Sequence, residues 1–312
     1  MENTEQRFNI LLCIDGSEES NRGLKYAVRI GKGNDADITL LYVRPRDPSL
    51  SSGGMDLRLV RENILEWGLD LPGTNALEDA HKQLIEMGFM DEHWRTKSVH
   101  REIMGDPVGD NMVIYTSETG AKIVLKSMVS PSVARGILDE CDLNDYDLTI
   151  IAMAGDEDGN ERDRINWEVT KTVVTDHNGA VLLARGIEES HGHLICVTDD
   201  EKSIEAAAKD AVMASRCDCP VHLYSVAEDE SRVEASHAVI AKAQNMIEAA
   251  GVKIVDTAVE VGDPIERIIE RGKDYSVIVM ADSHVKGFRR FFEVSVAYKV
   301  LRHAHNSVMI IR

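Results

Sequence analysis

The chain repeats itself, and that repeat limits what it can fold into more than any other feature. "FNILLCIDGSEESNRGLKYAVRIGKGNDADITLLYV" (8–43) and "HLICVTDDEKSIEAAAKDAVMASRCDCPVHLYSV" (193–226) each open on an apolar run, pass an acidic turn containing serine, continue at helical spacing and close on a second apolar run. The interval from Cys13 to Val43 is 30 residues, and so is that from Cys196 to Val226. The back ends agree too: "LTIIAMAG…TVVTDHNGAVLLAR" matches "YSVIVMAD…KVLRHAHNSVMIIR", with 32 residues from Met153 to Arg185 and 32 from Met280 to Arg312. Two blocks in the same order at the same spacing mean two copies of one domain. The polar stretch "GIEESHGH" (186–193) separates them, giving a first domain over 1–186 and a second over 192–312.

Within a copy, short apolar runs alternate with segments of helical period. That alternation predicts parallel strands covered on both faces by helices and joined by right-handed crossovers. The expected class is α/β, two tandem doubly wound sheets of five parallel strands. Ligands of such sheets sit beyond the C-terminal strand ends, at the switch in strand order. This places Asp15, Val43, Met153 and Ala154 at the candidate cleft of copy one. In copy two the same logic selects Thr198, Val226, Met280 and Ala281, together with the turn that follows them.

The copies differ in the middle. Val43 to Met153 spans 110 residues against 54 for Val226 to Met280, so copy one carries 56 extra. Some follow the second strand, in a stretch broken by Pro, Gly and Ser around residues 44–74. For 95–130 two readings stand: an added hairpin, "NMVIYTSE" and "AKIVLKSMV" turning at Thr119-Gly120, or an extra strand–helix unit, because "IMGDP" resembles "VGDP" at 261–264. The expansion begins beside the expected crevice and is expected to cover or extend it.

Charge narrows the partners. With 35 basic and 54 acidic residues the net charge is −19, which repels nucleic-acid backbones and anionic lipid heads. No apolar run reaches the length of a membrane span and no signal peptide is visible, so the expected location is the cytoplasm. The five cysteines lack zinc-type pairing: Cys13 and Cys196 read as small buried hydrophobes, and Cys217 and Cys219 as a structural C-x-C at strand-like spacing. His303 and His305 read as surface or capping residues, and no metal is expected. Nucleophile-elbow, phosphate-loop and metalloprotease motifs are lacking, and Asp15-Gly16-Ser17 reads as a helix N-cap.

The pieces "NILLCIDGSEESNRGLKYA", "ITLLYV", "VEVGDPIERIIE", "SVIVMADS" and "SVAYKVLRHAHNSVMIIR" occur in an order and spacing that resemble the universal stress protein family, in its tandem two-domain form. The resemblance implies a five-stranded parallel α/β fold. In ATP-binding members it also implies an aspartate near the adenine and a phosphate loop of form G-x2-G-x9-G-[S/T]. Against that loop, copy two presents Ala281, His284 and Val294 where glycines stand, and keeps the final hydroxyl as Ser295, followed by Val296. Copy one presents Ala154, Glu157 and Trp167, with Glu168 for the hydroxyl, but retains Asp15 where copy two has Thr198. Lys286, Arg289 and Arg290 crowd the copy-two turn as solvated cations or, alternatively, as an anion's partners beside a helix N-terminus.

The expectation is a non-enzymatic stress module binding a small ligand or partner protein, with weak or no ATP binding. The alternative is an ATP-dependent switch or slow ATPase. The resemblance also implies association through the final strands, "AVLLAR" and "SVMIIR", satisfied here within one chain as a pseudo-dimer that brings Leu182 and Leu183 against Met309 and Ile310. A further homodimer is left open.

Overall fold

The computed structural model describes residues 7–46, 73–103, 106–152, 161–185, 192–281 and 295–312. The chain forms two compact units, Met1–Ile151 and Ala152–Arg312. The polar stretch 186–191 and the Pro/Gly/Ser-rich stretch 47–72 lie outside the described residues.

In the first unit the order is β1 (Asn9–Cys13), α1 (Glu18–Asn34), β2 (Asp37–Pro45), α2 (Thr74–Glu86), β3 (Arg95–Ile103), β4 (Asp106–Thr116), β5 (Lys122–Ser130), α3 (Val133–Leu143) and β6 (Leu148–Ala152). The sheet runs β6-β1-β2-β5-β4-β3. β6, β1, β2 and β5 are parallel. Ile10, Leu11, Leu12, Ile38, Leu40, Leu148 and Ile150 are buried to 0% exposure, the burial on both faces that parallel strands require.

The hairpin reading of 95–130 is the one the fold adopts. β4 and β5 pair antiparallel from Thr116 opposite Lys122 to Asn111 opposite Ser127. The turn closes through Ser117 N–H on the Ala121 carbonyl at 2.9 Å, with Gly120 at φ +88°, where a side chain would be strained. β5 pairs parallel with β2, so it is the third parallel strand of copy one, and β3–β4 is the added element. The "GDP" similarity is therefore coincidental: Asp106 opens a strand, whereas Asp263 caps a helix and accepts from Ile265 and Glu266 N–H at 2.9 and 3.0 Å. The positional match to Asp263 is Ser132, which caps α3 through Arg135 N–H at 3.2 Å.

The second unit contains α4 (Glu161–Asp176), β7 (Ala180–Ala184), β8 (His193–Cys196), α5 (Glu201–Arg216), β9 (Val221–Ala227), α6 (Val233–Ala249), β10 (Ile254–Val261), α7 (Pro264–Gly272), β11 (Val277–Ala281), α8 (Val296–His303) and β12 (Ser307–Ile311). Its order is β10-β9-β8-β11-β12-β7. The first five are parallel, and the switch in direction of winding falls between β8 and β11.

The last strand of each copy meets the other inside this unit. β7 runs antiparallel to β12, with Leu183 opposite Val308, Leu182 opposite Met309 and Val181 opposite Ile310. Two arginines extend the exchange. Arg185 N–H donates to Ser307 Oγ at 3.0 Å and its guanidinium to the Ala304 carbonyl at the end of α8. Arg312 donates to the Val174 and His177 carbonyls at the end of α4. A cation is favoured at a helix C-terminus, where carbonyls lack helical partners. Each copy thus closes the final helix of the other.

Two local expectations need correction. Cys217 and Cys219 do not sit at strand spacing: Cys217 caps the C-terminus of α5, Asp218 turns at φ +54°, and Cys219 N–H returns to the Ala214 carbonyl at 3.0 Å. Trp167 lies within α4, its ring 5.7 Å from that of Tyr298 in α8, so it serves helix packing instead of filling a phosphate loop.

Candidate functional site

A cleft of about 350 Å³ opens at the C-terminal edge of the second unit's sheet, at the β8/β11 switch. Three strand-to-helix junctions build it. β8 ends at Cys196; Val197 N–H holds the Tyr224 carbonyl at 2.9 Å, and Thr198 N–H donates to Ser203 Oγ at 3.0 Å. Asp200 then caps α5 through Lys202 N–H at 3.1 Å. β9 runs out through Val226 and Ala227 to Glu228, and Asp229 Oδ1 turns the chain by accepting Ser231 N–H at 2.9 Å. β11 ends at Ala281, and Ser295 caps α8 by accepting Tyr298 N–H at 3.1 Å. Short strands followed by Ser or Asp caps are what the sequence spells at each junction.

Six of the sequence-selected residues, Thr198, Val226, Met280, Ala281, Ser295 and Val296, line this one cleft. His284, Lys286, Arg289, Arg290 and Val294 lie outside the described residues, as do Met153 and Ala154. Sequence reasoning missed Cys196, Tyr224, Glu228, Arg232 and Ser236, which share the wall. The first four stand within a few residues of strand ends already marked. Ala235, Ser236 and Val239 of α6 fall at i, i+1 and i+4, a small-residue face that helical period alone could have flagged.

The chemistry of the wall is mixed. Val197, Val239, Ile268 and Met280 offer an apolar bed, while hydroxyls of Thr198, Ser225, Ser236 and Ser295 and the charges of Asp199, Glu228 and Arg232 supply polar contacts. Such a bed with a few convergent polar groups suits a small organic molecule. Burial pushes the Cys196 thiol up to about 12, so it is a neutral wall group and no nucleophile. Behind the cleft the Arg271 guanidinium lies 5.2 Å from the Tyr224 ring centre and pairs with Glu260 at 3.1 Å, holding that ring in place. Among the described residues no group of His, Cys, Asp and Glu is arranged to hold a metal ion.

The first unit treats the matching positions differently. Asp15 Oδ1 accepts the N–H of Ser17 at 2.9 Å and also its hydroxyl, and Ser17 caps α1 through Ser20 N–H at 3.2 Å, so Asp15 braces a helix start. It borders a separate, open depression of about 560 Å³ with Tyr42, Asp79, Lys82 and Glu86. Val43 is not part of that depression; it is buried under α3 at Gly136, where an added Cβ would stand 2.5 Å from Val43 Cγ1. The next residue, Arg44, is buried in an ion pair with Asp106 of the added strand β4. Burial by itself raises the Asp106 carboxyl, but Arg44 and the N–H groups of Gly109 and Val108 hold it below the usual carboxylate range.

Two domains of doubly wound sheet, the second with a cleft at its switch point, define a tandem α/β protein. The model of the universal stress protein family matches residues 7–185 and again 192–312, and the chain belongs to that family. Among solved structures, a universal stress protein from Archaeoglobus fulgidus aligns over 97% of this chain and 96% of its own, at 14% identity and a TM-score of 0.60. A putative universal stress protein from Pseudomonas aeruginosa aligns over 97% and 92%, again at 14% identity and 0.60. At that identity the likeness concerns the fold. No curated protein matches the chain by sequence. Among the described residues no helix is long and apolar enough to cross a membrane.

Proposed function

We propose that this chain is a non-enzymatic stress-type binding module whose second copy takes a small organic ligand, and that neither copy binds ATP strongly. The observation that carries the reading is the hydroxyl-lined cleft at the β8/β11 switch, which gathers six positions selected from the strand ends and the family resemblance. Nothing in its described wall is set up as a nucleophile with an adjacent base, which favours binding over turnover. The loop positions that carry glycine in ATP-binding relatives are Ala281, His284 and Val294 here, and a Cβ at such places keeps backbone N–H groups from a phosphate. The β7–β12 pairing supports a second part of the proposal: the chain satisfies within itself the terminal-strand contact that its resemblance implies between separate chains.

Thermal unfolding with and without MgATP tests the nucleotide part. A ligand present at a hundredfold over its dissociation constant stabilises by roughly 2.7 kcal/mol. Millimolar MgATP is expected to leave the unfolding temperature unchanged. A micromolar dissociation constant, or nucleotide purifying with the protein at one per chain, would favour the ATP-dependent switch, with Ser295 at the head of α8 as its first candidate contact.

A further inference from the structure

The β3–β4 hairpin that copy one adds ends the first unit's sheet on an open strand. β3 closes the order β6-β1-β2-β5-β4-β3, and among the described residues no strand pairs with its outer side. It runs for nine residues, and each one from Arg95 to Glu102 is exposed. Its pairing with β4 is regular from Arg95 to Arg101, where the register breaks. In an antiparallel pair alternate residues turn their N–H and C=O groups away from the neighbour, so β3 presents a row of outward donors and acceptors.

The two faces of the hairpin differ. Tyr115, cross-strand from Thr96, stacks on His81 of α2 with ring centres 4.5 Å apart, so α2 lies over that face. Arg95, Lys97, Val99 and Arg101 fall on the other face by alternation. Opposite them in β4 stand Thr116, Ile114, Met112 and Asp110, all half-buried. Val99 is 37% exposed, an apolar centre with a cation two residues away on each side.

Charge sets this edge apart. The chain has 54 acidic and 35 basic residues, yet β3 carries Arg95, Lys97 and Arg101 against the one carboxylate of Glu102, which alternation puts on the α2 face. Among the described residues none of these three cations has a carboxylate partner. Asp110, cross-strand from Arg101, instead accepts Val129 N–H at 2.8 Å. One strand further in, Lys126 lies cross-strand from Met112 and pairs with Glu140 of α3. The outer strand of the second unit, β10, also has its charges answered within the chain: Arg271 stands 3.7 Å from Asp256 and 3.1 Å from Glu260. Core packing does not account for β3 either, since its side chains from Arg95 to Glu102 face solvent.

We infer that the outer edge of β3 docks an acidic, extended protein segment. The segment adds to the sheet as a strand antiparallel to β3, with carboxylates opposite Arg95, Lys97 and Arg101 and an apolar side chain opposite Val99. Backbone bonds supply the attachment, and alternate side chains supply the selectivity. A second copy of this chain is the poorer occupant. β3 laid antiparallel on itself about Val99 sets Lys97 opposite Arg101 twice, and like charges directly opposite are destabilising. A nucleic acid offers no strand and meets the field of a chain at −19. The site belongs to the added hairpin and does not depend on what the copy-two cleft binds.

The probe is a labelled peptide, Glu-Thr-Val-Thr-Glu-Thr-Glu, capped at both ends and read by fluorescence anisotropy as the full chain is added. In antiparallel register its glutamates face Arg101, Lys97 and Arg95 and its valine faces Val99. Saturable binding is expected. It should weaken by about tenfold or more for a peptide with lysine at every glutamate, which reverses each cross-strand pair. It should weaken as much for a peptide with proline at every threonine, which keeps the charges and removes ladder N–H groups. A variant carrying Arg95→Glu, Lys97→Glu and Arg101→Glu should exchange the preference and bind the lysine peptide better. If that variant does not fold, Lys97→Glu alone should narrow the preference. Equal binding of the glutamate and lysine peptides, equal binding of the proline peptide, or no saturation at millimolar concentration overturns the inference. So does self-association of the parent chain that the charge-reversed variant abolishes, because β3 is then taken by a second copy.

Discussion

The second strands of the two copies end in opposite ways. In copy two, β9 finishes with Val226 and Ala227, both on the wall of the cleft. In copy one, β2 reaches the same point with Val43 and Arg44; the valine is covered by α3, and the arginine is buried against Asp106. The difference comes from the insertion, since Asp106 belongs to the β3–β4 element that copy two lacks. One fold can therefore use a strand end for binding or bury it, here with helix packing on Val43 and a charged side chain paired to a residue of the inserted strand. The same contrast recurs in reverse at the other end of the sheet, where copy one packs Ile10 and Ala27 and copy two carries His193 and Asp210, paired at 2.9 Å.

The largest effect should come from breaking the copy-one plug. Asp106→Ala leaves Arg44 buried without its counter-charge, and loss of one partner of such a pair costs about 3–5 kcal/mol. Denaturant unfolding of the single and double alanine variants measures it. If Arg44→Ala, Asp106→Ala and the double variant are all within experimental error of the parent, the pair is not what closes that strand end.

A smaller difference should separate two matching helix positions. Gly136 is the fourth residue of α3 and Arg267 the fourth of α7. Gly136→Ala drives a Cβ against Val43 and is expected to cost about 1–3 kcal/mol, as overpacking does. Arg267→Ala, on an exposed site, should stay within roughly 0.5 kcal/mol. Equal costs would mean that α3 has room to shift, and that Val43 is less tightly covered than its neighbour indicates.

The His193–Asp210 pair gives copy two a pH dependence that copy one has no groups to match at those positions. Burial works to lower the folded pKa of His193, but Asp210 raises it further, to about 10, above the 6.5 of an unperturbed histidine. A group with a raised folded pKa contributes fully below its unfolded value and loses that contribution as pH rises through the folded one. Stability from this pair is thus complete below about pH 6.5 and declines toward pH 10. Unfolding temperatures across pH 6 to 10 for the parent and for Asp210→Asn check this; curves of the same shape would dissociate the pair from the decline. The smallest expected effect is that of MgATP, a shift near zero, and a Ser295→Ala variant sharpens it. If a shift does appear and Ser295→Ala leaves it intact, the nucleotide is not held at the head of α8.

Much of this protein is legible locally. The matched intervals fixed two copies of one α/β domain, because strand and helix periods are short-range properties of the backbone. The caps at Ser17, Asp200, Asp263 and Ser295 follow from residue type next to an apolar run. Thr198, Val226, Met280 and Ala281 of the copy-two cleft followed from the strand ends, and Ser295 and Val296 from the family resemblance. What the sequence left open required contacts between distant residues. The choice between hairpin and strand–helix at 95–130 was settled by pairing with β2, which a local pattern does not encode. The spacing of Cys217 and Cys219 suggested a strand, but a left-handed Asp218 closing a helix makes it a turn. Arg44 and Asp106 are 62 residues apart, and His193 and Asp210 come from a strand and a helix. Periodicity determines which elements form and which face each buries. Only the packed chain determines which charges meet, because a buried charge is stable solely where the fold delivers a partner to it.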